Sequence, residues 1–534
     1  MIMKRNLILM LLFLVAFITV KAQRTDTIPM QLTKKQMYAD FDELVDIIKT
    51  YNAQQIVRKK LTNYDMISEI KRERKKINTI DSYWQFISFL EICLKKTIDV
   101  HAQMRALYYV IPSPRYAPGQ SFYDSTFIRE ISDGYANYKQ LLREKAIQNF
   151  DRTLTMTFYL DGDYYLYGTY HFYNRNSPYD SVVFENAKIL KHNNQGLDKF
   201  VMTQIGRLPP ATIRWDNNYK KYYTDWLILK GGLFEVEDYK TKQIYRFNSK
   251  NYNLNLSGFS IPDIKDNISN YIQNKEETSS QVIMFFEPQK TLYIYTDRMW
   301  GDIETFTDSI KTVGRNKSIE KIIIDVRNNH GGGDDYWLAM LSAIIKDTLY
   351  YEYTLALNYN DKVIRYFNTE FPEELTKPFK KENVKIFNNT PMYVANYESS
   401  QIIPDENSLA YSGNIYILQD ENTYSSGHSF AALARQIPQL VSVGLPTGNL
   451  AGFGFNPWGF QLKHSKFTFE FETAIDLTQA NKIEDIFQSI PEIEVYPTID
   501  EYIRYSDYGN LLNKKSETFL FRYDYLFKRT LELK

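Results

Sequence analysis

The stretch Thr423-Tyr424-Ser425-Ser426-Gly427-His428 sets two serine hydroxyls, a glycine and an imidazole side by side. Before it runs Ile415-Tyr416-Ile417-Leu418, and after it a segment from Ser429 to Ile437 carrying Ala431, Ala432, Leu433 and Ala434. The short β-branched and aromatic run predicts a buried strand, and the alanine-rich segment predicts a helix. A serine at such a junction is held above a parallel sheet. It also lies beside the free N–H groups and positive dipole of a helix start, where an oxyanion is favoured. That is a nucleophile site in outline. Serine is equally a common helix N-cap, and the turn alone does not separate the two readings.

A second chemistry-bearing loop follows the buried run Ile322-Ile323-Ile324-Asp325-Val326: Asn328-Asn329-His330-Gly331-Gly332-Gly333. As a phosphate loop it lacks the lysine of G-x-x-x-x-G-K-[ST] and the spacing of G-x-G-x-x-G. As an oxyanion loop it is better placed, because glycines let backbone N–H groups turn toward a developing negative charge. Asp325 and Arg327 flank the turn and are expected to pair as a structural brace. His101, in Thr97-Ile98-Asp99-Val100-His101, is of a kind that is usually structural or solvent-facing. Its place between a helical region and the strand-like run Leu107-Tyr108-Tyr109-Val110-Ile111 puts it at a domain junction, where clefts form.

Together these segments resemble the tail-specific, or C-terminal-processing, serine peptidases. Residues 322–332 are similar to that family's I-I-D-x-R-x-N-x-G-G strand and loop, and residues 423–428 to its T-x-S-[AS]-[GSA]-E nucleophile turn. Gly444-Leu445-Pro446-Thr447-Gly448 resembles its G-x-x-T-x-G segment, one residue shorter, and Pro491-Glu492-Ile493-Glu494-Val495 its closing P-D-I-x-V. The likeness runs from about Val282 to Pro497.

The resemblance implies Ser425 as nucleophile. It implies an oxyanion hole from the N–H of Ser426 and one N–H of Gly331 or Gly332. One branch of the family takes its base from a lysine shortly after T-x-G, where this chain has Asn449, Leu450 and Ala451. The other, resembling the tricorn core protease, takes a histidine from a D-x-H motif in the helical domain, which Asp99-Val100-His101 fits. An acid is then expected shortly before the closing motif; Asp485 fits the spacing best, with Glu484 close behind. His428 stands where the family usually has glutamate and, one helical turn from Ser425, is a local alternative base; the reading preferred is that it caps or lines the cleft. His330 stands where proline or glycine is common. The implied activity is peptide hydrolysis with no metal or cofactor, rising as pH passes the base's pKa, about 6.5 for an unperturbed histidine. The implied partner is a peptide or protein substrate, and a catalytically silent peptide-binding relative is the competing reading.

The elements that must position these residues are spread over 534 residues, too many for one core. Residues 1–22 have the charged, apolar, small-residue order of a signal peptide: Lys4 and Arg5, the run Leu7 to Ile18, then Val20-Lys21-Ala22. Cleavage near Gln23 is expected, leaving an exported chain (periplasmic or extracellular) with no transmembrane anchor. Residues 23–111 form a predicted helical domain, with Phe41, Leu44, Val45 and Ile48 and then Phe86, Leu90 and Leu94 at helical spacing. Asp81-Ser82 is its clearest helix start.

Residues 112–281 read as a β-rich middle domain with linkers, with one hairpin turning at Asp161-Gly162-Asp163. A second is expected to join Trp226–Leu229 to Leu233–Val236. Residues 282–500 alternate strands and helices, which implies a mainly parallel α/β sheet; the family resemblance makes it ClpP/crotonase-like. Residues 501–534 are left as a C-terminal tail. The fold class is thus α/β multidomain.

Zero net charge excludes a strongly basic nucleic-acid binder, and the run Lys71-Arg72-Glu73-Arg74-Lys75-Lys76 reads as a solvated helix face. A single cysteine, Cys93, rules out an intramolecular disulfide and fits a small buried hydrophobe. With 43 Tyr and 33 Phe, the cores can be built from rings.

Overall fold

The structure of the protein is a computed structural model. It describes residues 31–104, 133–140, 157–174, 177–224, 227, 229, 232–249, 252–256, 280–352, 354–363, 384–387, 390–396, 400–447, 458–477, 480, 485, 488–511 and 514–533. The expected signal peptide, the strand-like run 107–111, Glu484 and the segment 449–451 lie outside the described residues.

Helix α1 spans Lys34–Tyr51 and opens on a capping box, Thr33 accepting from the Gln36 N–H while the Gln36 side chain accepts from the Thr33 N–H. The predicted apolar stripe is buried, with Phe41, Leu44 and Ile48 wholly inaccessible. Helix α2, Tyr83–Lys95, starts at Ser82 as expected, its hydroxyl accepting from the Gln85 N–H. Phe86, Leu90, Cys93 and Leu94 are fully buried beneath it, each apolar side chain contributing roughly 1.5–3 kcal/mol. Two turns then lead through His101 to a short strand β1, Gln103–Met104.

The middle region has the hairpin expected at Asp161-Gly162, between Thr157–Leu160 and Asp163–Asn174. Of the second expected hairpin, Trp226, Ile228 and the turn residues 230–231 lie outside the described residues, and Leu233–Asp238 pairs instead with Ser177–His192 on one side and Ile244–Asn248 on the other. A small separate hairpin, Ile213–Asp216 with Lys221–Thr224, sends Trp215 and Tyr222 into the core shared with the helical domain.

The central sheet is built in chain order from β2 (Gln281–Phe286), β3 (Thr291–Thr296), helix α3 (Ile303–Gly314), β4 (Lys321–Asp325), helix α4 (Asp334–Ser342), β5 (Ile415–Gln419), helix α5 (Ser426–Ala432) and β6 (Leu440–Gly444). The chain then leaves the sheet as a hairpin, β7 (Trp458–Gln461) and β8 (Thr468–Phe471), before returning as β9 (Ile493–Glu494). The spatial order is β2-β3-β4-β5-β6-β9, parallel throughout except for the antiparallel edge pair β2/β3.

Side-chain alternation splits the strands between two cores. Leu292, Ile294, Ile322, Ile324, Ile415 and Ile417 face α3, α4 and α5. Tyr293, Tyr295, Ile323, Tyr416, Leu418 and Val443 face the opposite layer. With both faces covered, the strands read as continuous apolar runs. The run Met392-Tyr393-Val394 belongs elsewhere, to an antiparallel sheet with Thr354–Asn358.

The second layer is supplied by the segment read from sequence as a tail, which is helical. Helix α6, Tyr525–Glu532, buries Leu526 and Phe527 against Tyr293 and Phe286. Its N-cap Asp524 and Asp325 share the buried Arg327: the guanidinium lies 2.6 Å from Asp325 Oδ2 and 2.6 Å from Asp524 Oδ2. The expected Asp325–Arg327 brace is therefore one half of a three-residue ionic cluster, in which the two carboxylates hold Arg327 protonated despite its burial.

Candidate active site

Loops at the carboxyl ends of β4, β5 and β6 converge, the side of a parallel sheet where ligands bind. Ser425 ends the β5–α5 turn with φ 54° and ψ −130°, a left-handed backbone that a non-glycine residue adopts only under constraint. The constraint is visible: the Tyr424 N–H donates to Asn329 O at 3.0 Å, and the Thr423 hydroxyl donates to Val326 O at 2.9 Å. Both bonds tie the serine turn to the glycine loop. Ser425 is half-buried, and its hydroxyl has no hydrogen-bond partner among the described residues. Ser426, by contrast, donates its hydroxyl to Asp334 Oδ1 at 2.6 Å and is occupied.

Gly331 lies directly under Ser425. A Cβ added to it would fall 2.4 Å from Ser425 Cβ, 2.9 Å from Oγ and 3.1 Å from the Ser426 nitrogen, and its φ is +81°. Its own N–H is spent on Asn329 Oδ1 at 2.8 Å. Of the two glycines expected to complete an oxyanion hole, this leaves the Gly332 N–H as the available donor beside that of Ser426. Gly332 (φ +144°) is pinned by its neighbours: Met299 N–H donates to Gly331 O, and Gly333 N–H donates to Met299 O, each at 2.7 Å.

His101 is brought to a carboxylate by strand register. β1 pairs antiparallel with β8, with Gln103 opposite Glu470; two residues further along the same register, His101 stands opposite Glu472. Its Nδ1 lies 2.9 Å from Glu472 Oε1 in an ion-pair contact. Asp99 locks the arrangement, one carboxylate oxygen accepting from the His101 N–H at 2.9 Å and the other from the Glu472 N–H at 2.8 Å. The helical domain grips the β7–β8 hairpin at its other end, where Asp40 accepts from His464 and Ser465 and the Tyr83 hydroxyl donates to Ser465 O at 2.7 Å. Burial works to lower the His101 pKa, but the carboxylates of Glu472, Asp99 and Glu470 outweigh it and raise it to about 9. Burial pushes Glu472 up to about 7, with His101 opposing the rise. At neutral pH the imidazole is therefore mostly protonated, while Glu472 is in the middle of its titration.

The other sequence candidates separate from this pair. Asp485 stands by Arg435, which lies 4.0 Å from its carboxylate and donates to its backbone oxygen at 3.5 Å. The carboxylate standing beside His101 is Glu472 and not the expected Asp485, because β8 delivers its end residue opposite the histidine, whereas Asp485 follows on the approach to β9. Glu472 carried a sequence signal that went unread: Phe467, Phe469 and Phe471 alternate with Thr468, Glu470 and Glu472, and both faces are buried. His428 is buried, its Nδ1 2.8 Å from Thr447 Oγ1. Burial, helped by Arg435, lowers its pKa to about 3, so it stays neutral. No hydrogen bond joins His101 to Ser425 among the described residues. Nor does any group of three or more His, Cys, Asp or Glu stand among them that could hold a metal ion.

Residues 290–500 match the family model described as peptidase family S41. No curated protein matches the chain. Among solved structures, mature CPAF is similar at 14% identity, covering 90% of this chain and 98% of that one, with a TM-score of 0.47. The photosystem II D1 C-terminal processing protease is similar at 11% identity, covering 89% of this chain and 97% of that one, with a TM-score of 0.34. The tricorn protease is similar at 11% identity, covering 90% of this chain and 37% of that one, with a TM-score of 0.31.

Proposed function

We propose, from the match of residues 290–500 to the peptidase family S41 model, that the chain is a serine-type peptidase that cleaves peptide bonds through Ser425, His101 and Glu472 and that it does so after export. The observation that carries the assignment is the His101–Glu472 pair, set by strand register and stapled by Asp99. Ser425, strained and packed on Gly331, supplies the nucleophile.

Neutral His101 takes the Ser425 proton as the hydroxyl oxygen attacks the peptide carbonyl, and Glu472 stabilises the imidazolium so formed. The tetrahedral oxyanion is held by the N–H groups of Ser426 and Gly332. The imidazolium returns the proton to the leaving amine, and water releases the acyl group by the same route. Ser425 and His101 close to hydrogen-bond distance when substrate fills the cleft, since catalytic bonds tighten in the Michaelis complex. His428 takes no part as base: it is neutral, and its Nδ1 is engaged by Thr447.

The arrangement also favours one other reading. Without a Ser425–His101 hydrogen bond among the described residues, and with His101 mostly protonated at neutral pH, the second reading is a catalytically inactive peptidase-like protein that binds peptides in the cell envelope. Fluorophosphonate labelling followed by peptide mapping separates the two. Modification confined to Ser425, lost in Ser425→Ala and in His101→Ala, is the expected result. Absence of labelling at any pH between 6 and 10 overturns the hydrolase mechanism in favour of the binder.

A further inference from the structure

Two loops make the site, and both are tethered to the same small hairpin of the middle region. Arg214, on Ile213–Asp216, is only 5% exposed although it carries a full charge. Its guanidinium donates to Asn422 Oδ1, and it lies 3.8 Å from Glu421 Oε1. Asn422 is in the turn leading to Ser425, and its amide donates onward to Asn328 Oδ1 at 2.9 Å in the glycine loop. Asn328 has a left-handed backbone (φ 57°), as Ser425 does. Asp420 closes the knot, accepting from the backbone N–H groups of Asn328 and Asn422, both at 3.0 Å.

A second tether leaves the next residue of the hairpin. Trp215 O accepts from the Gln488 side chain at 2.9 Å; the neighbouring Ser489 N–H donates to Thr447 Oγ1 at 2.9 Å, and Thr447 holds His428 of α5. The hairpin thus reaches both flanks of the serine.

We propose that Arg214 is a positioning residue for the peptidase site: through Asn422 it holds the nucleophile turn and the glycine loop in their strained, mutually packed geometry, so the middle region completes the active site. The physical reason is that strained backbones persist only where surroundings over-determine them, and a buried guanidinium fork fixes direction as well as distance. The proposal rests on Ser425 acting as nucleophile for its catalytic consequence but not for its structural one.

The test uses the full chain with Arg214→Ala, Arg214→Lys and Asn422→Ala. Amide hydrogen exchange is read over the Asn328 and Tyr424 N–H groups and, as an internal control, over Ile322–Ile324 of β4. Exchange at Asn328 and Tyr424 is expected to rise at least tenfold in Arg214→Ala and in Asn422→Ala, with β4 unchanged and partial recovery in Arg214→Lys. Fluorophosphonate labelling of Ser425 should slow by a similar factor with no change in its pH midpoint, because the carboxylates around His101 are untouched. Unchanged exchange at both amides, or a rise shared equally by β4, overturns the proposal. If Arg214→Ala does not fold, Asn422→Ala decides the matter by the same criteria. A wild-type chain that fails to label refutes the hydrolytic reading alone, while the exchange measurements still decide the role of Arg214.

Discussion

Replacing Glu472 with glutamine tests the base and its environment together. With the His101 pKa raised to about 9, only about 1% of the imidazole is neutral at pH 7, and about half is neutral at pH 9. The base acts only when neutral, so the rate of Ser425 labelling should climb roughly fiftyfold between those values. Glutamine keeps the size of the side chain but removes the closest carboxylate, leaving burial to pull the pKa down against Asp99 and Glu470. A fall of one unit or more puts the midpoint at about 8 or below, and the climb from pH 7 to 9 shrinks to about tenfold or less. The absolute rate at high pH falls as well, because the imidazolium loses its stabilising partner. The assay is pseudo-first-order labelling by a fluorophosphonate across pH 6–10, with NMR titration of the His101 ring as a chemistry-independent check. A midpoint unmoved to within half a unit, or a wild-type midpoint at 6.5 or lower, refutes the assignment of Glu472 as the controlling carboxylate.

Four further outcomes follow from the geometry. Ser425→Gly should abolish labelling yet raise stability by about 1 kcal/mol, measured by chemical denaturation, because glycine relieves the left-handed backbone. Gly331→Ala should also abolish labelling, since its Cβ would sit 2.4 Å from Ser425 Cβ at φ +81°; activity near wild type would show that the loop is free to move. Asp524→Ala removes a carboxylate from Arg327 and the N-cap of α6, and should cost roughly 3–5 kcal/mol in urea unfolding. His428→Ala should leave the pH midpoint of labelling where it was, because a buried imidazole with its pKa near 3 does not titrate in that range.

The sequence made legible what is enforced residue by residue. The glycine loop, the serine turn and the D-x-H segment each need particular residue types within a few positions, so their spacing carries meaning without a structure. The apolar runs of β4 and β5 also announced buried strands of a mainly parallel sheet. Glu472 was hidden for a different reason: its partnership with His101 follows from the pairing of Gln103 with Glu470, a register that no local pattern encodes. Spacing from the closing motif favoured Asp485, which the fold turns toward Arg435 instead. Asp524 was invisible because its value lies in reaching Arg327, far back along the chain. The base's pKa was read at its unperturbed value for the same reason, since two of the three carboxylates that raise it, Glu470 and Glu472, come from a distant segment.

That long reach has a temporal side. Arg327 leaves the ribosome 197 residues before Asp524, a delay of about 10–40 s at ordinary rates of synthesis. Throughout it the guanidinium beneath the glycine loop has one carboxylate where the finished molecule has two, and Tyr293 and Phe286 have no α6 to cover them. The sheet that carries the nucleophile therefore settles late. Under the export proposed above, that lag separates manufacture from activity: the Arg327 cluster and the α6 layer behind the nucleophile sheet are completed only once the distal segment arrives.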